Sequence, residues 1–261
     1  MKRLFTKKNI ILFSALSLFI VIAGVSLGTY LQGLVRQNIA NDLKFARPEK
    51  EELSEKSIYN REEREHPLLK VPLIQQMPEL PRGCEVTALA MLLQYQGFKA
   101  NKMALAGQIA HESFSDGQYR GNMHNGFVGD MGSFDQPGLG VFVEPVIELA
   151  KAYAGNERVV NMTGKQPEDL YGLLEKGIPV WVLTNVQFKA LPESEFQTWQ
   201  TKAGPMRVTY RQHSVVLTGY DASHVYVNDP LQPIGNRVIS RQAFEKSWVQ
   251  MGSQAMAIMK Y

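Results

Sequence analysis

Hydrophobic and polar positions divide the chain into three stretches of different texture. Residues 9–35 carry no charged side chain, and their centre, IILFSALSLFIVIAGVSLGTYL, is long enough to cross a bilayer as a helix. Residues 37–70 are the reverse. The run ARPEKEELSEKSIYNREEREHP is dense in both signs of charge and poor in aliphatics, which suits a solvated helix laced with i,i+4 pairs or a segment without stable structure. From Val71 onward apolar positions fall into helical and strand periods, as a packed domain requires.

Within that last stretch, Pro78, Pro81 and Gly83 are breakers. After them Val86, Leu89, Ala90, Leu92 and Leu93 recur at three-to-four spacing, which predicts a helix with one apolar face starting at Cys84. VPLIQQ reads as an extended lead-in. A short helix is expected over 102–111. Next comes a loop with glycines at 117, 121, 126, 129, 132, 138 and 140 that still keeps Phe127, Val128, Met131 and Phe134. A long loop carrying that much apolar surface reads as the wall or lid of a binding cleft. It lacks the G-K-[ST] that a phosphate cradle needs. Helices are expected over 143–153 and 166–176, the latter with Pro167 tolerated in its first turn. Strands are expected over 158–162, 178–188, 204–220 and 224–230, then a helix over 238–250 and a closing strand over 254–259. Helices first and hairpin-linked strands later point to an α+β fold with an antiparallel sheet.

Of the 261 residues, 44% are hydrophobic, enough for one sizeable core, and a net charge of +3 gives no reason to expect a nucleic-acid partner. Lys2, Arg3, Lys7 and Lys8 precede the apolar run, so the positive-inside rule puts the N-terminus in the cytoplasm and the rest outside. A cleaved signal peptide is the competing reading; the length of the run and the lack of a small-x-small site after it favour an uncleaved anchor. The expected organisation is therefore a basic cytoplasmic segment (1–8), a transmembrane signal anchor (9–35), a charged stalk (36–70) and a globular domain (71–261). Cys84 is the only cysteine, which excludes an intramolecular disulfide framework and Cys-rich metal sites.

Its position carries chemistry. A cysteine in the first turn of a helix meets unpaired N–H groups and the positive end of the dipole, which lower a thiol pKa from its free value of about 8.5. The plainer alternative is a small buried thiol filling a gap. His213 opens a strongly apolar strand, QHSVVLTGY, in which His213, Val215 and Leu217 share one face. With Tyr220, Asp221 and Ala222 as a three-residue hairpin loop, Leu217 opposes Val225, Val215 opposes Val227 and His213 opposes Asp229. A slip of one would bring Asn228 there instead. An imidazole beside a carboxylate is the base-and-orienter half of a catalytic triad. Singly, His213 reads as a hydrogen-bonded core histidine and Asp229 as a turn initiator before Pro230. His111, His124 and His224 read as surface or loop residues, and Trp181 and Trp248 as core. Asp130 and Asp135 read as solvated, so neither a metal nor any cofactor is expected.

The segments VPLIQQMPELPRGCEVTALAMLLQYQGF and HSVVLTGYDASHVYVNDP, with NGFVGD and WVQMGSQAMAI, resemble the bacterial cysteine peptidases that process double-glycine bacteriocin leaders. The likeness is nearest to their stand-alone, membrane-anchored relatives in Gram-positive bacteria and spans about 71–261. It implies a papain-like fold in which a helix carrying the nucleophile packs on an antiparallel sheet carrying His and Asp. It also implies Cys84 as nucleophile, His213 as base, Asp229 as its orienting partner, and an upstream glutamine that donates to the oxyanion with the backbone N–H of Cys84. The glutamine of the processing peptidases lies nearer the cysteine, where Pro78 stands here, so the role falls to Gln76, with Gln75 as the alternative. The expected protein is a monomeric, extracytoplasmic, membrane-anchored thiol peptidase acting on a peptide or protein substrate. Acyl transfer or amidase chemistry on cell-wall peptides, a catalytically silent peptide-binding domain, and a plain scaffold are the rival readings.

Overall fold

The computed structural model describes residues 68–260. The expected basic segment, anchor and most of the stalk lie outside them. The first helix, α1 (Cys84–Tyr95), begins where the breakers end, with Gly83 at its cap. Every residue from Cys84 to Leu93 is buried, so α1 is enclosed all round where the spacing predicts a one-sided stripe. Helix α2 (Lys102–Gln108) is capped by Asn101, whose Oδ1 accepts from the Ala104 N–H at 2.9 Å. It ends three residues short of the expected 111, because Ile109 turns extended and the chain enters strand β1 (His111–Glu112).

The glycine-rich segment is folded onto the core. It contains a small hairpin, β2 (Ser115–Asp116) with β3 (Tyr119–Arg120), and then β4 (Phe127–Val128), which runs parallel to β1. Phe127, Val128 and Met131 are buried. Gly129, at φ +83°, could carry no side chain: a Cβ there would lie 2.4 Å from the Pro137 carbonyl oxygen.

Helix α3 (Val143–Ala154), strand β5 (Val159–Asn161) and helix α4 (Pro167–Glu175) follow close to the expected bounds. The remaining elements are β6 (Val180–Asn185), β7 (Gln197–Thr201), β8 (Gly204–Val208), β9 (Gln212–Tyr220), β10 (His224–Asn228), β11 (Arg237–Ser240), α5 (Arg241–Gln250) and β12 (Ala255–Ile258). Six strands form one sheet in the order β11-β10-β9-β6-β12-β5, with every neighbouring pair antiparallel. The α+β expectation is met. One sheet face, with Trp181, Leu183, Val216 and Met256, packs on residues of α1 and α3. The other, with Val180, Val182, Val215, Leu217 and Val227, packs on α4 and α5, including Leu170, Phe244 and Trp248. Coverage on both faces explains why β6 is buried at all six positions and does not alternate.

Three local expectations are corrected. Residues 204–220 are not one strand: a turn in which the Thr209 Oγ1 accepts the Arg211 N–H at 3.1 Å breaks them, and β8 leaves the main sheet to pair with β7. Residues 237–240 form the strand β11, and the helix expected from 238 begins only after Ser240, whose Oγ caps α5 at Ala243 N. The β9–β10 hairpin is also tighter than expected. The Asp221 carboxylate accepts the N–H groups of Ser223 and His224, which sets Tyr220 opposite Val225. A bulge then places one extra residue, Thr218, on β9, so that Val227 faces Leu217 and Asn228 faces Val216.

Truncation tests how tightly α1 is held. Leu89→Ala, at a site with no exposure, is expected to lower unfolding stability by about 3 kcal/mol in urea denaturation.

Candidate active site

Cys84 is the first residue of α1, and the turn before it is sterically closed. A Cβ on Gly83 would lie 2.6 Å from the Leu80 Cβ, so only glycine lets the chain enter the helix at this angle. The thiol is buried. It donates to Glu85 Oε2 at 3.2 Å. Burial pushes the Cys84 thiol well up from its ordinary value, and the Glu85 charge and hydrogen bond push the same way; the Ser214 N–H opposes them. The sequence expectation of a lowered thiol pKa is thus corrected: desolvation and the neighbouring carboxylate hold the thiol up in this arrangement.

His213 and Asp229 meet directly. The imidazole Nε2–H donates to Asp229 Oδ1 at 2.7 Å, with both side chains almost completely buried. The pair forms in a register other than the expected one. The tight hairpin alone would turn Asp229 to the sheet face opposite His213; the extra residue at Thr218 returns it to the correct face. Asp229 Oδ1 also accepts the Leu231 N–H at 2.9 Å, and Oδ2 accepts from Arg237 Nη1 at 2.7 Å. Burial alone would raise the Asp229 pKa, but the His213 charge and hydrogen bond, the Leu231 N–H and Arg237 together bring it down to about 2. With Nε2 committed, Nδ1 is the ring nitrogen left for proton transfer.

Neither Phe188 nor Arg237 was singled out by sequence. The Phe188 ring stands edge-on to the imidazole with centroids 6.2 Å apart, and the Arg237 guanidinium lies 4.9 Å from the centre of the same ring. Phe188 holds φ +51°, a left-handed conformation costly for a bulky residue. It is kept there by the Asn185 turn, through Phe188 N to Asn185 O and Asn185 Nδ2 to Lys189 O.

Gln76 is buried and Gln75 exposed, which separates the two glutamines. Gln76 Nε2 donates to the Pro81 carbonyl at 2.8 Å and its backbone N–H to Pro230 O at 3.0 Å, so it ties the segment before Cys84 to the turn after Asp229. Its Oε1 is buried and has no partner. A groove of about 580 Å³ is walled by β8 and the turn after α5 and reaches Gln212, the residue before His213, with Phe142, Met206, Thr209 and Gln254 also among its walls. His111 and His124 are exposed, and Trp181 and Trp248 are fully buried. Among the described residues no three His, Cys, Asp or Glu side chains converge to hold a metal.

Residues 68–256 match the model of the Peptidase_C39-like family. The chain belongs to that family. With this membership it is a cysteine-type peptidase, and its helix-on-antiparallel-sheet architecture is the papain-like one. The uncharacterized protein YvpB of Bacillus subtilis (strain 168) is 48% identical over 196 residues, spanning 74% of this chain and 76% of its own. The crystal structure of a protein assigned as a C39-like peptidase from Bacillus anthracis is 46% identical with a TM-score of 0.73, covering 74% of this chain and 98% of that one. A double-glycine-motif protease from an AMS/PCAT transporter, solved with its leader peptide, is 19% identical with a TM-score of 0.42, over 75% and 94% of the two chains.

The Asp229 contacts set an acid limit on stability. A carboxyl at about 2 when folded, against 3.8 for an ordinary aspartate, contributes stability that is complete above about pH 4 and is lost as the pH falls through 2. The contribution is on the order of 2 kcal/mol. Arg237→Ala is expected to raise that pKa and move the loss to higher pH, read by urea denaturation between pH 2 and 6.

Proposed function

We propose that this family member is an extracytoplasmic, membrane-anchored peptidase in which Cys84 is the nucleophile, His213 the base and Asp229 the residue that orients it. The buried His213–Asp229 hydrogen bond at 2.7 Å carries the reading, because it fixes the imidazole tautomer and leaves Nδ1 as the proton acceptor.

In this mechanism the thiol proton passes to His213 Nδ1, leaving a thiolate and an imidazolium. The sulfur attacks the substrate carbonyl carbon, and the oxyanion is held by the Cys84 N–H and Gln76 Nε2. Gln76 Nε2 has a second hydrogen available beyond the one given to Pro81, which fits it for that role. Collapse of the intermediate breaks the C–N bond, and the imidazolium returns its proton to the departing amine. Water, deprotonated by His213, then attacks the thioester, and the acid leaves with Cys84 restored. The groove beside Gln212 is the proposed seat of the peptide. The uncharged run 9–35, with its basic flank, supports the anchor and the outward-facing domain. All the named residues come from one polypeptide, in keeping with a single acting chain.

A peptide-library digest with product sequencing tests the reading. Cys84→Ala is expected to abolish cleavage, His213→Ala to lower kcat/KM about 1,000-fold or more, and Gln76→Ala about 100-fold, mainly in kcat. Cleavage that survives Cys84→Ala would rule the assignment out.

A further inference from the structure

Glu85 is a buried acid that the mechanism above does not use. It is 1% exposed, yet nothing in the sequence around it signals a partner. Neighbouring positions on a helix ordinarily point to different sides. Here, at the very start of α1, both side chains bend together, so that the Cys84 thiol meets Glu85 Oε2. The other oxygen is pinned from two further elements: Gln212 Nε2, on the residue before His213, donates to Oε1 at 2.8 Å, and the Val141 N–H does so at 3.3 Å. The backbone is shaped to this carboxylate. A Cβ at Gly140 would lie 2.7 Å from Oε1 and 2.6 Å from Gln212 Nε2. From β6, Trp181 Nε1 donates to the Glu85 carbonyl at 3.1 Å and fixes the backbone beneath it.

The two buried carboxylates of the site differ in kind. Asp229 faces an arginine and an imidazole, whereas the donors that face Glu85 are a thiol, an amide and a backbone N–H, all neutral. The other charge felt by the sulfur is that of Asp229, which is again negative. An ionised Glu85 therefore favours the thiol and opposes the thiolate, and at hydrogen-bonding distance in a low-dielectric site the two are not both ionised.

We propose that Glu85 is a lock on the nucleophile of the resting enzyme: its carboxylate holds the Cys84 proton and keeps it from His213 until that hydrogen bond is broken. The proposal rests on the reading of Cys84 as nucleophile. Glu85 acts in this scheme only by holding the Cys84 thiol, and it takes no part in the bond-making and bond-breaking steps. When Glu85 is protonated, or the sulfur turns from it, the thiol proton passes to His213 Nδ1 and the site acquires its thiolate–imidazolium pair. Burial raises the Glu85 carboxyl, with hydrogen bonds from its own backbone N–H, Gln212, Cys84 and Val141 opposing, so its proton is gained at higher pH than an exposed glutamate would allow.

The test is the pH dependence of Cys84 alkylation by iodoacetamide in the full-length chain, whose single cysteine makes the signal unambiguous. The wild-type midpoint is expected above the free-thiol value of about 8.5. Glu85→Gln keeps the shape and an acceptor oxygen but removes the charge; it is expected to lower the midpoint by more than about one unit and to speed alkylation at pH 7 about tenfold. A wild-type midpoint below that of a free thiol overturns the lock, and so does a Glu85→Gln midpoint that is unchanged, raised or lowered by less than that. If Glu85→Gln does not fold, the wild-type midpoint decides alone. No substrate is involved, so a failed lock is distinguished from a failed peptidase assignment, which shows instead as cleavage indifferent to Cys84→Ala.

Discussion

A carboxylate with almost no contact with water must be answered by its surroundings, and the Asp229 carboxylate governs the architecture around it. Its three donors come from three places: the start of strand β9, the turn that follows β10, and strand β11. None of these can shift without leaving a buried charge uncompensated. The imidazole inherits its orientation from that demand, and so does the strand pairing. The bulge at Thr218 is held from outside the hairpin, by the Leu69 N–H on its carbonyl and by the Thr218 hydroxyl on Asn236. An irregularity in a hydrogen-bond ladder is thus what places Asp229 on the same face as His213.

The sequence carried the pairing of His213 with Asp229 but not the path to it. The strand period put His213, Val215 and Leu217 on one face, and this holds. The loop was misjudged because the Asp221 side chain closes a tighter turn than backbone patterns reveal, and the bulge depends on Leu69 and Asn236, distant in sequence. The expected register and the observed one differ by two positions, which preserves the face; a difference of one would have reversed it. Cys84 at a helix start was legible from the breakers before it, whereas its acid strength was not. Helix position is local, but desolvation and the turn of Glu85 toward the sulfur are products of packing. Strands β7 and β8 were missed or merged because they leave the main sheet and expose half their residues, which blurs a strand period.

Enclosure of α1 on all sides has a bearing on how the site works. The backbone at Cys84 is clamped between the sheet and α3 and is entered through a glycine that admits no side chain. Change at Cys84 is therefore confined to rotation of the side chain, a motion of picoseconds to nanoseconds in free residues that packing slows. The left-handed Phe188 serves the same end on the opposite wall, where a strained residue buttresses the imidazole and shelters its arginine neighbour.

Arg237 belongs to β11, which stands at the margin of the sheet among the described residues and is only four residues long. Marginal strands fray at a lower free energy than the interior of a fold. Loss of this strand would withdraw a guanidinium from Asp229 and loosen the imidazole's anchor. The working fraction of molecules is then tied to the breathing of an outer ribbon. A peptide that zips onto that ribbon by strand addition would stiffen the machinery from a distance.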